Sequence, residues 1–410
     1  MINLILWSAV SDSVPEAGAG QLDGPLSGVR VLDLSRIVAA PFATMALGEL
    51  GADILKVERS GSGDDSRTWG PPFVNGESAY YLAVNRNKRS LSLDMSLRTD
   101  QDVVRRLSTQ WADVVVENYR AGSLERWNLS LESLRAANPR LVTATLTGYP
   151  PGDTRPGYDF IAQADTGVMS LIGESDGAPH KVGYPVSDMS AGMFLLSGVL
   201  AALYQRERTG RGQHLTVSIW EAQVAMQVNV NQSFLMTKAR PKRLGNAHPQ
   251  VAPYEMIRVA DGFIAVAVAN DRQFGHLMAA LGLAALISDP RFSSNSARIG
   301  HRAELIAQIE STTGALSSPE ALDLLRRHDI ACAAIRTIDE VLTSEEARRA
   351  GTIVSLDHPT IGEVPVVRLP WRFSEATSAP RTPPPLLGEH NHVIDEILPA
   401  ERAPAQIPIP

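Results

Sequence analysis

The chain has 410 residues, of which 44% are hydrophobic and 20% charged; that composition suits a soluble globular protein, and that length exceeds one ordinary core, so two domains, or a large domain with a satellite, are expected. A formal charge of −7, from 38 Lys and Arg against 45 Asp and Glu, argues against a nucleic-acid binder, while a few local Arg and Lys could still hold an anionic ligand. The single cysteine, Cys332, excludes an internal disulfide and a Cys-based zinc site; within the apolar run 330–334 it reads as a small buried hydrophobe.

The N-terminal MINLILW is apolar but lacks a basic region before it, a poor match to a signal peptide, so residues 1–20 read as a loosely ordered extension and the cytoplasm is the expected location. Strand and helix patterns then alternate. Residues 29–34 read as a buried strand, 40–50 as a helix with Pro41 in its first turn, and 52–58 as the next strand. A strand at 90–94, a helix at 99–111, a strand at 113–117, a helix at 131–138 and a strand at 141–146 continue the run. Such alternation implies crossovers and a parallel sheet, a Rossmann-like doubly wound core. A Pro/Gly-rich loop at 149–157 leads into an apolar helical run at 160–172. Long helical patterns at 188–208 and 221–238 flank a Thr209–Gln213 turn and a strand at 214–219. The stretch 190–204 is apolar, but at 15 residues it is shorter than the ~20 that span a bilayer and is followed by Arg206 and Arg208, so it reads as a buried core helix and no membrane association is expected. After Gly245 the pattern changes, with strands at 254–259 and 263–269 around the Asp261-Gly262 turn. A second, smaller α+β domain is therefore expected at 220–345, after a large domain at 21–219, and residues 400–410 read as a flexible tail.

Several chemistries lack their residues. The first strand–helix turn, Ser35 to Pro41, has no glycine, so a dinucleotide fingerprint and a nicotinamide dehydrogenase are not supported. There is no P-loop and no G-x-S-x-G elbow, and the nine histidines are scattered apart from His390 and His392, so no metal is expected. Asp159, placed just before an apolar helical run, reads from spacing alone as a helix N-cap.

Several segments together resemble the class III CoA-transferases, the CaiB/BaiF family. They are DLSRIVAAP (33–41), LGADILKVE (50–58), GDDSR (63–67), NRNKRSLSLD (85–94), ENYRAG (117–122), RPGYDFIAQA (155–164), TGRGQ (209–213), DPRF (289–292) and PLLGEH (385–390), in the family's order across residues 22–395. The resemblance implies that residues 346–399 return to complete a large CoA-binding domain with 21–219, and that two chains interlock as a homodimer. It implies coenzyme A as co-substrate with no tightly bound cofactor, and an acyl-CoA and a carboxylic acid as partners.

The resemblance makes Asp159 the nucleophile. A carboxylate attacking a thioester gives a mixed anhydride and expels CoA thiolate, a good leaving group because thiol pKa values lie near ~8.5. The thiolate then leaves an aspartyl-CoA thioester, and an acceptor acid reverses the steps. A helix N-terminus also favours the carboxylate's charge, so cap and nucleophile are compatible readings. Asp153, Asp165 and Asp188 compete with weaker motif support. By position in the motifs, Arg59 and Arg126 contact the nucleotide phosphates, Asn118 and Tyr119 lie along the pantetheine or adenine path, Leu93 lies by the adenine, and Ile37, Val38 and Ala39 line the thioester end. A lone Arg is more often a solvated surface charge; Arg59 has the added argument that it follows a strand's carboxyl end, where open α/β sheets bind ligands. Asn87 and Lys88 equally suit a structural turn.

Departures from the family pattern narrow the substrate. Val38 stands where the formyl-CoA/oxalate branch has a glutamine, Ser96 and Thr147 where it has lysines, and residues 244–249 replace its glycine run, so formyl-CoA and oxalate are poor candidates. An anhydride needs cover from water, and Gly245, Asn246 and His248 in that loop are the candidate lid, His248 either touching substrate or stabilising the loop. Arg and His near the lid hint at a dicarboxylate such as succinate. An acyl-CoA racemase on the same fold would carry histidine where Tyr158 stands; a non-catalytic acyl-CoA binding protein would not need Asp159.

Overall fold

The computed structural model describes residues 24–398; the expected N-terminal extension and flexible tail lie outside them. Two compact units emerge, one from 24–157, 188–222 and 352–398, the other from 158–187 and 223–351. The sequence reading keeps 158–187 with the large domain and starts the return at 346. In the structure 158–187 groups with the second unit, and the chain rejoins the first at 352. Nothing in the composition of 149–190 marks that exchange.

The first unit is built on a six-stranded parallel sheet of β1 (Arg30–Asp33), β2 (Asp53–Arg59), β3 (Lys88–Leu93), β4 (Val114–Glu117), β5 (Val142–Thr147) and β6 (His214–Ser218). Their spatial order is β3-β2-β1-β4-β5-β6, the 3-2-1-4-5-6 order of dinucleotide-binding sheets. Leu32 of β1 sits level with Leu55 of β2 and Val115 of β4. These residues, with Leu91, pack on Val104, Leu107, Trp111 and Leu134 from the crossovers. The period of two in a strand sends their neighbours to the opposite face, and on β1, β2 and β3 those neighbours are Asp33, Lys56, Glu58, Lys88 and Ser90. The sheet edge at β3 is covered by the PLLGEH segment: His390 N–H donates to Ser90 O, Ser90 N–H donates to His390 Nδ1 and Ser92 N–H to Asn391 Oδ1. This supplies partners that a bare edge would lack.

Helix α1 (Ala39–Glu49) follows β1, and α2 (Arg98–Arg106) continues into one π-helical turn at Leu107–Trp111. The hairpin of β10 (Ile353–His358) and β11 (Gly362–Val367) lies near the C-terminal end. In the second unit β7 (Tyr254–Val259) and β8 (Gly262–Ala267) form an antiparallel hairpin, with β9 (Ala331–Ala334) along β8's other side. Val259 pairs with Gly262, so the tight turn is Ala260-Asp261, one residue earlier than the sequence suggests. Ile257, Ile264, Val266, Phe274, Phe292, Leu305 and Leu325 form this unit's core.

Two long helical patterns are shorter in the structure. The apolar run 160–172 yields only α3 (Asp159–Asp165), because Gly167 adopts φ +85° and ends it, and a 3-10 turn follows at Val168–Leu171. The 221–238 pattern is α5 (Ile219–Met226) and α6 (Val228–Thr237), broken at Gln227, whose side-chain amide donates to Thr166 O. Between them in the chain, α4 (Val186–Thr209) is a single apolar helix long enough to cross a membrane, with just over half of its most apolar window (56%) buried inside the protein.

Candidate active site

A cavity of about 410 Å³ opens at the carboxyl ends of β1 to β4. Chain order reverses between β1 and β4, so this is the sheet's switch point, where open α/β sheets take ligands. Ser35 and Arg36 line it after β1, Glu58 and Arg59 at the end of β2, Leu93 through Ser96 after β3, and Tyr119, Arg120, Ser123 and Trp127 after β4. Arg36 pairs with Asp65 at 3.0 Å, whereas Arg59 and Arg120 have no carboxylate partner among the described residues. Tyr119 meets Trp127 edge-on at 5.0 Å between ring centres, and Arg36 lies over the Tyr119 ring at 5.8 Å. The cavity thus offers aromatic walls and uncompensated cations, a fit to a nucleotide with phosphates.

Beneath the cavity lies a buried ionic network. Lys56 Nζ donates to Ser35 O at 2.6 Å and pairs with Asp64 at 2.9 Å. Asp64 also accepts from Ile37 N–H and from the backbone and hydroxyl of Ser66. Lys88 pairs with Asp33 at 3.0 Å, and Asp33 further accepts from Ser35 and Thr44 hydroxyls. Burial raises the Asp33 carboxyl pKa, but Lys88 and Lys56 outweigh it and hold the group at about 2. Burial depresses the Lys88 amine, which Asp33 only partly offsets, leaving it at about 8. Glu58 receives two hydrogen bonds from Arg67.

This network fixes a strained turn. Ile37 has φ +73°, a left-handed conformation that a β-branched residue adopts only under constraint, at a cost of about 1–3 kcal/mol. It occupies the strand–helix turn where the dinucleotide fold uses glycines. Asp64 takes the Ile37 N–H, and Asn118 clamps Arg36 on both sides, donating to its carbonyl and accepting from its N–H. The unusual backbone is therefore over-determined by buried partners rather than permitted by a missing side chain.

In the second unit, Asp159 is the first residue of α3, and the cap position belongs to Tyr158, whose side chain makes no capping bond. The N-cap reading is thus one residue off. Asp159 Oδ2 accepts from Gln163 Nε2 at 2.7 Å, one turn along the same helix. Its Oδ1 accepts from Ser187 N–H at 2.8 Å, in the first turn of α4. Two helix starts, those of α3 and α4, therefore meet at one carboxylate. Gln163 is fully buried, and its Oε1 accepts from Val182 N–H at 2.8 Å, which fixes which end of the amide faces Asp159. Ser187 Oγ donates to Gln223 Oε1. Asp159 itself is half-buried.

Among the residues singled out from sequence, the cavity gathers Arg59, Leu93 and Tyr119. Asn118 supports its wall through Arg36. Ile37 and Val38 pack with Phe42, Met45 and Val84, and Val38 and Ala39 are buried at the start of α1. Arg126 is exposed and donates to Ser123 Oγ, outside the cavity lining. Arg120 and Trp127 line it instead. Arg120 lies inside the ENYRAG motif, and the short helix Ser123–Arg126 turns Trp127, not Arg126, onto the cavity. Asn87 holds Arg381 and Thr382 backbone N–H groups and Lys88 is the buried ion-pair partner of Asp33, so both serve the structural reading. Gly245, Asn246 and His248 lie in the second unit. Gly245 has φ +58° and its N–H donates to Gly173 O. His248 Nδ1 accepts from Gln250 N–H, its carbonyl accepts from Arg302, and its ring lies against Tyr254 at 5.1 Å. These contacts give His248 a loop-stabilising part.

A parallel α/β sheet with a cation-bearing cavity at its switch point defines an open α/β protein with room for an anionic ligand. The comparisons give the family. The family model CoA-transferase family III matches residues 26–391. The chain is 39% identical over 390 residues to a succinate–glutarate CoA-transferase of Agrobacterium fabrum, covering 92% of this chain and 97% of that one. It is 36% identical over 378 residues to a succinyl-CoA:glutarate CoA-transferase of Mus musculus, covering 91% and 86% respectively. The crystal structure of a CaiB/BaiF family protein from Brucella suis superposes with TM-score 0.81 at 38% identity, over 92% of this chain and all of that one. This chain belongs to CoA-transferase family III. It is a CoA-transferase, acting between an acyl-CoA and a carboxylic acid.

Proposed function

We propose that the protein transfers CoA from succinyl-CoA to a dicarboxylate of glutarate's length, with Asp159 as covalent nucleophile. The relatives named above act on succinate and glutarate, and the departures at Val38 and residues 244–249 disfavour the smaller formyl and oxalyl groups. In the first step an Asp159 oxygen adds to the thioester carbon, the C–S bond breaks, and CoA leaves as thiolate. The thiolate adds to the aspartyl carbon of the mixed anhydride, the donor acid leaves as carboxylate, and an aspartyl-CoA thioester remains. The acceptor carboxylate attacks that thioester and the sequence reverses. No ATP or metal enters the balance, because one thioester is exchanged for another.

The CoA nucleotide occupies the strand-end cavity in this reading, its phosphates against Arg59 and Arg120 and its rings near Leu93, Tyr119 and Trp127. Arg126, Asn118 and the Ile37–Ala39 turn act as the family motifs imply, at the phosphates, the pantetheine path and the thioester end. Gly245, Asn246 and His248 shield the anhydride. The working assembly is an interlocked homodimer in the cytoplasm.

The observation that carries the mechanism is the seating of Asp159: Oδ2 accepts from the Gln163 side-chain amide one turn along α3 and Oδ1 from the Ser187 N–H in the first turn of α4, which aims the two oxygens. The test is a panel of isotopically labelled succinate, glutarate, adipate and the matching monocarboxylates with succinyl-CoA, run on the wild type and Asp159→Ala. Dicarboxylate acceptors should dominate, and Asp159→Ala should lose roughly 10⁴-fold in kcat with its unfolding midpoint little changed. Retained turnover in that variant would discard Asp159, and a preference for monocarboxylates would discard the substrate class.

A further inference from the structure

The reaction passes twice through a tetrahedral carbon on the aspartyl side chain, when thiolate adds to the anhydride and when acceptor carboxylate adds to the thioester. Each time a carboxyl oxygen of Asp159 carries the developing negative charge. Resting on the reading of Asp159 as nucleophile, we propose that Gln163 is a catalytic residue whose Nε2–H is the oxyanion donor for that oxygen.

The geometry is already in place in the free protein. Gln163 Nε2 lies 2.7 Å from Asp159 Oδ2, within the range for an effective oxyanion donor. Oδ1, on Ser187 N–H, is then the oxygen that attacks the acyl carbon and becomes the bridging oxygen of the anhydride. Oδ2 becomes the aspartyl carbonyl oxygen and keeps its donor. When thiolate adds to Cγ, the C=O π electrons move onto Oδ2, and they return when the donor carboxylate leaves; Gln163 donates a hydrogen bond throughout and gives up no proton. The division follows from what each donor can lose. The first N–H groups of a helix have no intrahelical acceptor and find other partners, whereas a fully buried side-chain amide whose acceptor is gone becomes an uncompensated buried donor. The amide cannot turn away, because Val182 N–H holds its oxygen. The four-residue spacing between Asp159 and Gln163 sets both groups on one face of α3.

Two variants test this on the full-length enzyme. Gln163→Met keeps the side chain's length without the donor; it should lower kcat about 10²–10³-fold while the KM for succinyl-CoA stays within about threefold. Gln163→Glu can donate only when protonated, so its kcat should rise as pH falls across the mildly acidic range in which the wild type's kcat falls or stays flat. Unaltered kcat in Gln163→Met, or a Gln163→Glu profile parallel to the wild type, would overturn the assignment. Thermal midpoints identify a folding defect, and if Gln163→Met proves unfolded the pH profile of Gln163→Glu decides alone. Asp159→Ala separates the two levels: an active Asp159→Ala sinks the nucleophile, whereas an inactive Asp159→Ala beside a fully active Gln163→Met sinks only the donor.

Discussion

Asp64 and Asp159 are both carboxylates that accept backbone N–H groups, and they differ in burial, Asp64 being buried and Asp159 half-buried. Asp64 is buried against the Lys56 ammonium, with Ile37 and Ser66 N–H groups on its remaining lone pairs. Its charge is matched by a cation and its orientation serves a strained turn. The two oxygens of half-buried Asp159 are held by neutral N–H groups of Gln163 and Ser187. These two donors aim the oxygens in different directions, one from each helix. The contrast separates a carboxylate that builds a site from one we propose to react in it.

That contrast can be broken most forcefully at Lys56. Replacing it with Met leaves Asp64 buried and unpaired, so the protein should lose about 3–5 kcal/mol in urea unfolding, with part recovered in the Lys56→Met/Asp64→Asn double variant. A loss below about 1 kcal/mol would mean the pair is not structural. A smaller effect comes from Asp33 in the same network. Its carboxyl is held at about 2 against an ordinary 3.8, chiefly because Lys88 and Lys56 outweigh burial. A depressed carboxylate adds stability above its unfolded pKa and loses it as pH falls through the folded value, so about 2 kcal/mol should disappear between roughly pH 4 and pH 2. Urea midpoints in acid should fall less steeply for Asp33→Asn than for the wild type; parallel curves would contradict the network's role. The smallest effect lies on the binding side. Arg59→Ala should raise the KM for succinyl-CoA about tenfold at low salt with kcat nearly unchanged, the difference narrowing as ionic strength rises. A fall in kcat at constant KM would put Arg59 in the chemistry instead.

Much of this was legible in the sequence. Apolar runs alternating with helical patterns located the six parallel strands, since each buried strand is short and bounded by turn residues. The motif around Asp159 marked the candidate nucleophile, and the position of Arg59 at a strand's carboxyl end placed it on the cavity. Other features depend on contacts far apart in the chain. Gly167 ends α3 because its backbone turns left-handed there, which hydrophobic spacing does not report. Gln227 interrupts a helical pattern by bonding to Thr166, 61 residues away. Lys56 and Lys88 look like surface charges until Asp64 and Asp33 are brought beside them. Trp127 reaches the cavity only because a single helical turn precedes it. The left-handed Ile37 was least legible, since the residue type argues against that conformation and only the buried Asp64 explains it.

The most direct measurement is hydroxylamine trapping during turnover with succinyl-CoA, followed by mass spectrometry of the peptide containing residues 155–164. An aspartyl hydroxamate at residue 159, absent without acyl-CoA and absent from Asp159→Asn, is the expected result. Full turnover with that peptide unmodified, or a hydroxamate at Asp153 or Asp165 in its place, would contradict the account.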